Sequence, residues 1–234
     1  MSSTPRSDRA ITLPSFDPRT VPILGCDGGL PAVSATELNP EAIRRRFLTP
    51  PPWAPELVSE PRMVARDPVH ASVLVPIVLR DRPTILLTQR TAHLATHSGQ
   101  IAFPGGKADT EDENAIATAL REAREEVGLM PDYIEVLGVL PHYLTGSAFI
   151  ITPVVALVHS GFSVAPNPQE VDDVFEVPLA FLMNPVNHRR HVWEPEPGIR
   201  REWFSMPYQD VGAERFIWGA TAGMLRNFYR MLLA

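Results

Sequence analysis

The sequence predicts a mixed α/β fold, and three observations carry that expectation. Apolar runs at residues 71–80, 84–90, 133–141 and 149–158 have the length and bounding turns of strands. Between them, Asp112 to Val127 reads as a helix, with Ala115, Ala119, Leu120 and Ala123 available for its buried side. The chain closes on a second amphipathic stretch, residues 214–233, with an apolar stripe of Phe216, Ile217, Ala220, Met224, Leu225 and Phe228.

In chain order, residues 1–36 are rich in Pro, Ser, Gly and Asp without periodicity and read as an extended arm. Asn39-Pro40-Glu41 combines an N-cap, a first-turn proline and a first-turn acid, so a short helix follows through Phe47. Thr49-Pro50-Pro51-Pro52 ends it. Arg44, Arg45 and Arg46 read as the solvated face of this helix. Residues 71–80 and 84–90, joined by Asp81-Arg82-Pro83, read as a hairpin, and Pro76 places the first of them at an edge or a bulge. Glu170 to Pro178 holds another short apolar run. Segments near 190–194 and 202–206 read as strands joined through Pro195-Glu196-Pro197-Gly198.

The 234 residues, 44% of them hydrophobic, suffice for a sizeable core, divided here into a Pro-rich extension with a short helix (1–65) and one main domain (66–234). A net charge of −6 argues against a general nucleic-acid binder. The single Cys26 allows no intrachain disulfide, and no long apolar segment suggests a signal or a membrane span. The expectation is a cytoplasmic protein acting on a small molecule. A homodimer is compatible with the sequence and is not dictated by it.

The chemistry concentrates in Arg121-Glu122-Ala123-Arg124-Glu125-Glu126-Val127-Gly128-Leu129. Glu122, Glu125 and Glu126 stand at i, i+3 and i+4, on one helix face, where like charges repel. A hard divalent cation reverses that repulsion because it favours oxygen ligands. Upstream, Phe103-Pro104-Gly105-Gly106 is a tight turn at which backbone can approach a ligand.

This glycine turn followed by a glutamate-bearing helix resembles the Nudix box of the Nudix hydrolases. The stretch Arg121 to Leu129 fits the box, with Ala123 at its first aliphatic position. One extra residue separates Gly106 from Arg121, so the first acid of the box falls on Asp112 counted forward from Gly106 and on Glu113 counted back from Arg121. Leu86-Leu87-Thr88-Gln89-Arg90-Thr91 and His97-Ser98-Gly99-Gln100-Ile101-Ala102-Phe103 are similar to the added signature of the coenzyme A pyrophosphatase branch. Thr145-Gly146, Ile151 to Val155 and Phe216 to Gly223 fit the same branch. Where that signature has a second arginine, this chain has Ala95, and Thr91 replaces Ser or Ala. Arginine offers phosphate a fixed fork of donors, so Ala95 keeps other substrates in view.

The resemblance implies an α/β/α sandwich around a mixed sheet. It implies metal-dependent hydrolysis of the diphosphate of coenzyme A or its derivatives to 3′,5′-ADP and 4′-phosphopantetheine. The alternatives are another nucleoside diphosphate derivative such as ADP-ribose, a nucleoside triphosphate, or a Nudix-fold binding module without turnover. The implied cofactor is magnesium or manganese (Mg2+ or Mn2+), held by Glu122, Glu125 and Glu126 with the Gly106 carbonyl. Glu125, Glu170 and Arg121 form the implied catalytic set. Glu170 is the general base from outside the box, with Asp172 and Asp173 as competitors, and Arg121 orients a box carboxylate. Arg90, His97, Gly105 and Lys107 are the implied substrate contacts, and Phe149, Tyr143 and Trp218 are candidates to stack on adenine.

Overall fold

The chain's structure is a computed structural model that describes residues 17–91, 99–196 and 199–234, with backbone alone at 195, 196 and 199. The elements are β1 (Ile23–Cys26), α1 (Pro40–Leu48), β2 (Val69–Val78), β3 (Thr84–Arg90), β4 (Ile101–Ala102), β5 (Gly105–Lys107), α2 (Ala115–Val127), β6 (Ile134–Val139), β7 (Tyr143–Leu144), β8 (Phe149–Val158), β9 (Val171–Pro178), α3 (Leu179–Leu182), β10 (Arg189–Glu196), β11 (Ile199–Asp210), β12 (Ala213–Trp218) and α4 (Gly219–Leu233).

Strands β2 to β9 form one mixed sheet with the main order β4-β3-β2-β8-β6; β5 joins β2, β7 joins β8 and β9 joins β3. Central strands β2 and β8 lie parallel, from Val69↔Phe149 to Val78↔Val158. Burial on both faces explains why each reads as a near-continuous apolar run. Leu74, Val78, Val154, Ala156 and Val158 pack with Ala119, Ala123 and Val127 of α2 on one face. Val75, Ile77, Val155 and Leu157 alternate to the other face, against Leu225 and Phe228 of α4. That layer also receives Phe204, Met206 and Ile217 from a four-stranded antiparallel sheet, β1-β10-β11-β12. The sandwich therefore carries a small second sheet beside its outer helix.

Four local expectations are corrected. Pro76 sits in a central strand, facing Ala156 of β8. On its other side β2 changes partner, from β5 at Ala71–Val73 to β3 at Ile77–Val78, and Pro76 falls in the gap between them. The expected hairpin closes for only two residue pairs before β3 turns to β4 and β9. The acidic helix begins at Ala115, because the Asn114 side chain caps it by accepting from the amides of Ile116 and Ala117. Phe216 and Ile217 belong to β12, paired with Pro207 and Met206, and α4 starts only at Gly219.

Residues 17–65 are bound into the fold. β1 pairs with β10, Ile43 is fully buried, and Phe47 packs on Phe228. The three arginines of α1 are all paired: Arg44 forks onto Glu135 at 2.8 and 2.7 Å, while Arg45 and Arg46 reach Glu37. Deeper in, Glu56 accepts from Arg190 and from Arg226 at 2.7 Å each.

His188 joins this network fully buried. Arginine has no acceptor, so Arg226 Nη1 donates to His188 Nδ1 at 3.1 Å, and His188 Nε2 carries the proton given to the Leu182 carbonyl at 2.7 Å. Burial, reinforced by the Arg226 charge, pushes the imidazole down to about 4. The unfolded chain therefore binds this proton more tightly. The contribution is intact above about 6.5 and is lost as pH falls toward about 4, by about 3 kcal/mol at most. Urea unfolding of wild type and His188→Gln is expected to show the gap between them shrinking across that window. A gap that stays constant with pH contradicts the assignment.

Candidate active site

Helix α2 presents two faces. Ala119, Ala123 and Val127 are fully buried against the sheet, and the box acids emerge beside them. Gly128, at φ 70°, closes the helix by donating to the carbonyls of Ala123 and Arg124.

Arg121 organises the start of the site. Its Nε and Nη2 fork onto Asp112 at 3.0 and 2.9 Å, Nη1 donates to Glu122 and Glu125 at 3.0 Å each, and Nη2 also reaches the Lys107 carbonyl at 3.0 Å. Asp112 thus fills the first acidic position of the box, and Glu113 is exposed. The Asp112 carboxyl is held well below its usual range by the Arg121 hydrogen bonds and by the Asp109 amide.

Glu122 and Glu126 line the inner side. A Cβ on Gly106 would stand 2.6 Å from the Glu122 carboxyl, so a larger residue there would displace that carboxyl from the turn. Gly105 is the more strictly constrained, since a Cβ there would lie 2.4 Å from the Ser72 carbonyl oxygen and 2.6 Å from the Val73 Cα, backbone that cannot yield. Glu126 accepts from the Gly105 amide at 3.0 Å and pairs with Arg90 Nη1 at 3.5 Å. Burial pushes the Glu126 carboxyl up to about 7, against the pull of the Gly105 amide and Arg90, with the charges of Glu122 and Glu170 adding to the rise. Burial also raises Glu122, offset by Arg121, with the charges of Glu125 and Glu170 pushing the same way as burial. Glu170 stands in the turn just before β9, brought beside the box by the pairing of Val171 with Arg90 and by the Asn167 amide donating to the Glu126 carbonyl.

The remaining expected residues divide. Asp173 is committed to Arg215 and Asp172 points to solvent, which leaves Glu170 as the outside carboxylate coupled to the box. Lys107 is exposed, with its ammonium 6.0 Å from the Phe149 ring, over which Arg66 also stacks at 4.7 Å. Tyr143 is buried, with its hydroxyl donated to Glu60, so it cannot stack on a ligand. Trp218 meets Trp203 edge-on. His97, with His93 and Ala95, lies outside the described residues. Sequence reasoning did not find Asn167, which donates to the nearby Glu170 carboxylate but is tied to the site through the distant Glu126 carbonyl, or Arg66, whose ring partner Phe149 is also distant in the chain.

Among the described residues no three His, Cys, Asp or Glu groups stand as a formed metal cage. Each box glutamate is instead held by an arginine, Glu122 and Glu125 by Arg121 and Glu126 by Arg90. The donor set nonetheless fits a hard divalent cation. It is all carboxylate oxygen, partly buried, and its members raise one another's proton affinity, the repulsion a cation would relieve.

The family model of the NUDIX domain matches residues 68–206. The chain belongs to the Nudix hydrolase family. This Nudix hydrolase is 43% identical over 166 residues to an uncharacterized Nudix hydrolase, NudL, of Pectobacterium atrosepticum, covering 68% of this chain and 83% of that one. It is 38% identical over 172 residues to NudL of Photorhabdus laumondii, covering 74% and 89%. Among solved structures, a C. elegans Ap4A hydrolase binary complex aligns with half of this chain and 85% of its own at a TM-score of 0.41 and 20% identity. The Nudix membership makes the chain a pyrophosphohydrolase of nucleoside diphosphate derivatives, in a family that generally uses divalent metal cations. No helix among the described residues is long and apolar enough to cross a membrane.

Proposed function

We propose that this Nudix hydrolase cleaves the diphosphate of coenzyme A or an acyl derivative, releasing 3′,5′-ADP and (acyl-)4′-phosphopantetheine with Mg2+ or Mn2+ as cofactor. The observation that carries the reading is Arg90. The signature Leu86 to Arg90 ends on it, its Nη1 lies against Glu126, and its buried Nε has no partner among the described residues. An arginine already desolvated at the edge of a carboxylate cluster suits a diphosphate oxygen.

Glu122, Glu125 and Glu126, with the Gly106 carbonyl, would hold the cation. Bound there, it would neutralise charge on the diphosphate and acidify a water. The chain's own groups supply the rest. Arg121 orients Glu122 and Glu125, Arg90 positions the diphosphate, and Glu170 takes the proton of the attacking water. Lys107 and Arg66, beside Phe149, offer cations and a ring to the nucleotide end. Residues 66–234 form the catalytic domain in this reading and 1–65 its extension. The proposed setting is the cytoplasm, and a homodimer is compatible with it.

The test compares coenzyme A, 3′-dephospho-coenzyme A and ADP-ribose at equal concentration. The reading expects coenzyme A to be cleaved with a kcat/KM at least about tenfold above the other two, equivalent to about 1.4 kcal/mol of transition-state discrimination. Preference for ADP-ribose would assign the site to that substrate, the outcome Ala95 favours by removing one phosphate fork.

A further inference from the structure

The segment between β8 and β9 returns across the end of α2 and is bonded to it. The last carbonyls of a helix have no intrahelical donor. Here the amide of Ala165 donates to the Val127 carbonyl and the amide of Asn167 to the Glu126 carbonyl, at 2.8 Å each. Gly128 leaves the space, since a Cβ there would lie 3.0 Å from the Ala165 methyl.

At Asn167 the chain turns toward β9, and this residue makes the contacts within the turn through both its backbone and its side chain. Its Oδ1 accepts from the Gln169 amide at 3.1 Å, and its carbonyl accepts from the amides of Glu170 and Val171 at 3.0 and 2.8 Å. Its Nδ2 donates to Glu170 Oε1 at 3.3 Å. On the far side the Thr91 amide donates to the Glu170 carbonyl at 3.0 Å, and Thr91 Oγ1 donates to the Gln169 carbonyl at 3.3 Å.

We propose that Asn167 is a positioning residue that pins the Glu170 carboxylate beside the box. Its backbone amide is tied to Glu126 and its side-chain amide to Glu170, so a single residue sets the separation of the outside carboxylate from the inner box glutamate. The inference rests on the reading of Glu170 as the general base.

The two ends of the Asn167 side chain separate this role from a merely structural one. The turn needs only Oδ1, an acceptor that aspartate also supplies. The contact to Glu170 needs Nδ2, a donor that aspartate lacks. The experiment measures kcat and KM of the full chain for wild type, Asn167→Asp, Glu170→Gln and the double variant. Coenzyme A and ADP-ribose are both used, so the comparison is read on whichever is cleaved. Asn167→Asp is expected to lower kcat by about 10–100-fold, the usual cost of losing a group that orients an active-site residue. KM and the thermal midpoint are expected to stay close to wild type. In the Glu170→Gln background the same substitution is expected to cost less than about twofold, because coupled groups lose their effect together. A crystal structure of metal-free Asn167→Asp is expected to show the turn intact and the Glu170 carboxylate displaced.

Wild-type kcat in Asn167→Asp, with Glu170→Gln impaired, overturns the positioning role and leaves the base assignment standing. Equal losses in both backgrounds also overturn it. Wild-type kcat in Glu170→Gln overturns the base assignment and the inference with it.

Discussion

Glu126→Gln is expected to lower kcat for diphosphate hydrolysis by about 10³-fold, near 4 kcal/mol of lost transition-state stabilisation. It is also expected to make the metal-free protein more stable. The two effects share one cause. Glu126 is only 4% exposed, and its carboxyl is pushed up to about 7 by burial. A carboxyl with a raised folded pKa contributes most below the ordinary value of about 4.5 and progressively less up to about 7. Above pH 7 the ionised group therefore costs the fold about 3 kcal/mol. Glutamine keeps an acceptor for the Gly105 amide and removes the charge. With a chelator present at pH 8, guanidinium unfolding is expected to show the variant more stable than wild type. Loss of both activity and stability would mean that Glu126 serves the fold rather than the chemistry. Because a cation competes with the proton for this carboxylate, divalent affinity is expected to weaken as pH falls below about 7.

Arg226→Ala is the substitution expected to destabilise most, by about 3–5 kcal/mol. Arg226 is 1% exposed and joins α4 to the residues before β2. Nε donates to Glu56 at 2.7 Å, Nη2 pairs with Asp27 at 2.8 Å, and Nη1 donates to His188. Burial alone would raise the Glu56 carboxyl, but the hydrogen bonds from Arg226 and Arg190 outweigh it and hold it below its usual value. Truncating Arg226 leaves Glu56 with Arg190 alone and strips His188 Nδ1 of its donor. The measurement is guanidinium unfolding of wild type, Arg226→Ala and the double variant with Glu56→Gln. The account expects the second substitution to restore part of the loss, because it removes the stranded charge. A loss below about 1 kcal/mol would place the network among weak surface pairs.

The parts of this protein that were legible in the sequence are those whose determinants are local. Asn39 and Pro40 start α1 and Gly128 ends α2 by contacts within a few residues, and β8 carries its own apolar run, whereas the equally local Asn114 cap is passed over when the helix is started at Asp112. The glutamates on one face of α2 follow from spacing alone. Elsewhere distant pairing decided. Phe216 and Ile217 fit a helical stripe, yet β11 lies beside them and draws them into a strand. Pro76 argued for an edge, and only the exchange of β5 for β3 as partner makes it acceptable within the sheet. Asp112 and Glu113 were indistinguishable by counting, and the reach of the Arg121 fork separates them. Asn167 had no signal in the sequence, because its meaning comes from the end of α2 folding beside it.

The central claim is that the Glu122, Glu125 and Glu126 cluster drives metal-dependent cleavage of a coenzyme A diphosphate. Its most direct test incubates wild type and Glu126→Gln with coenzyme A and Mn2+ or a chelator, with products resolved by chromatography and mass. The account predicts equal amounts of 3′,5′-ADP and 4′-phosphopantetheine from wild type with metal, neither product from the chelated enzyme, and an initial rate about 10³-fold lower from the variant. Intact coenzyme A under every condition, or cleavage by Glu126→Gln at a rate near that of wild type, would contradict it.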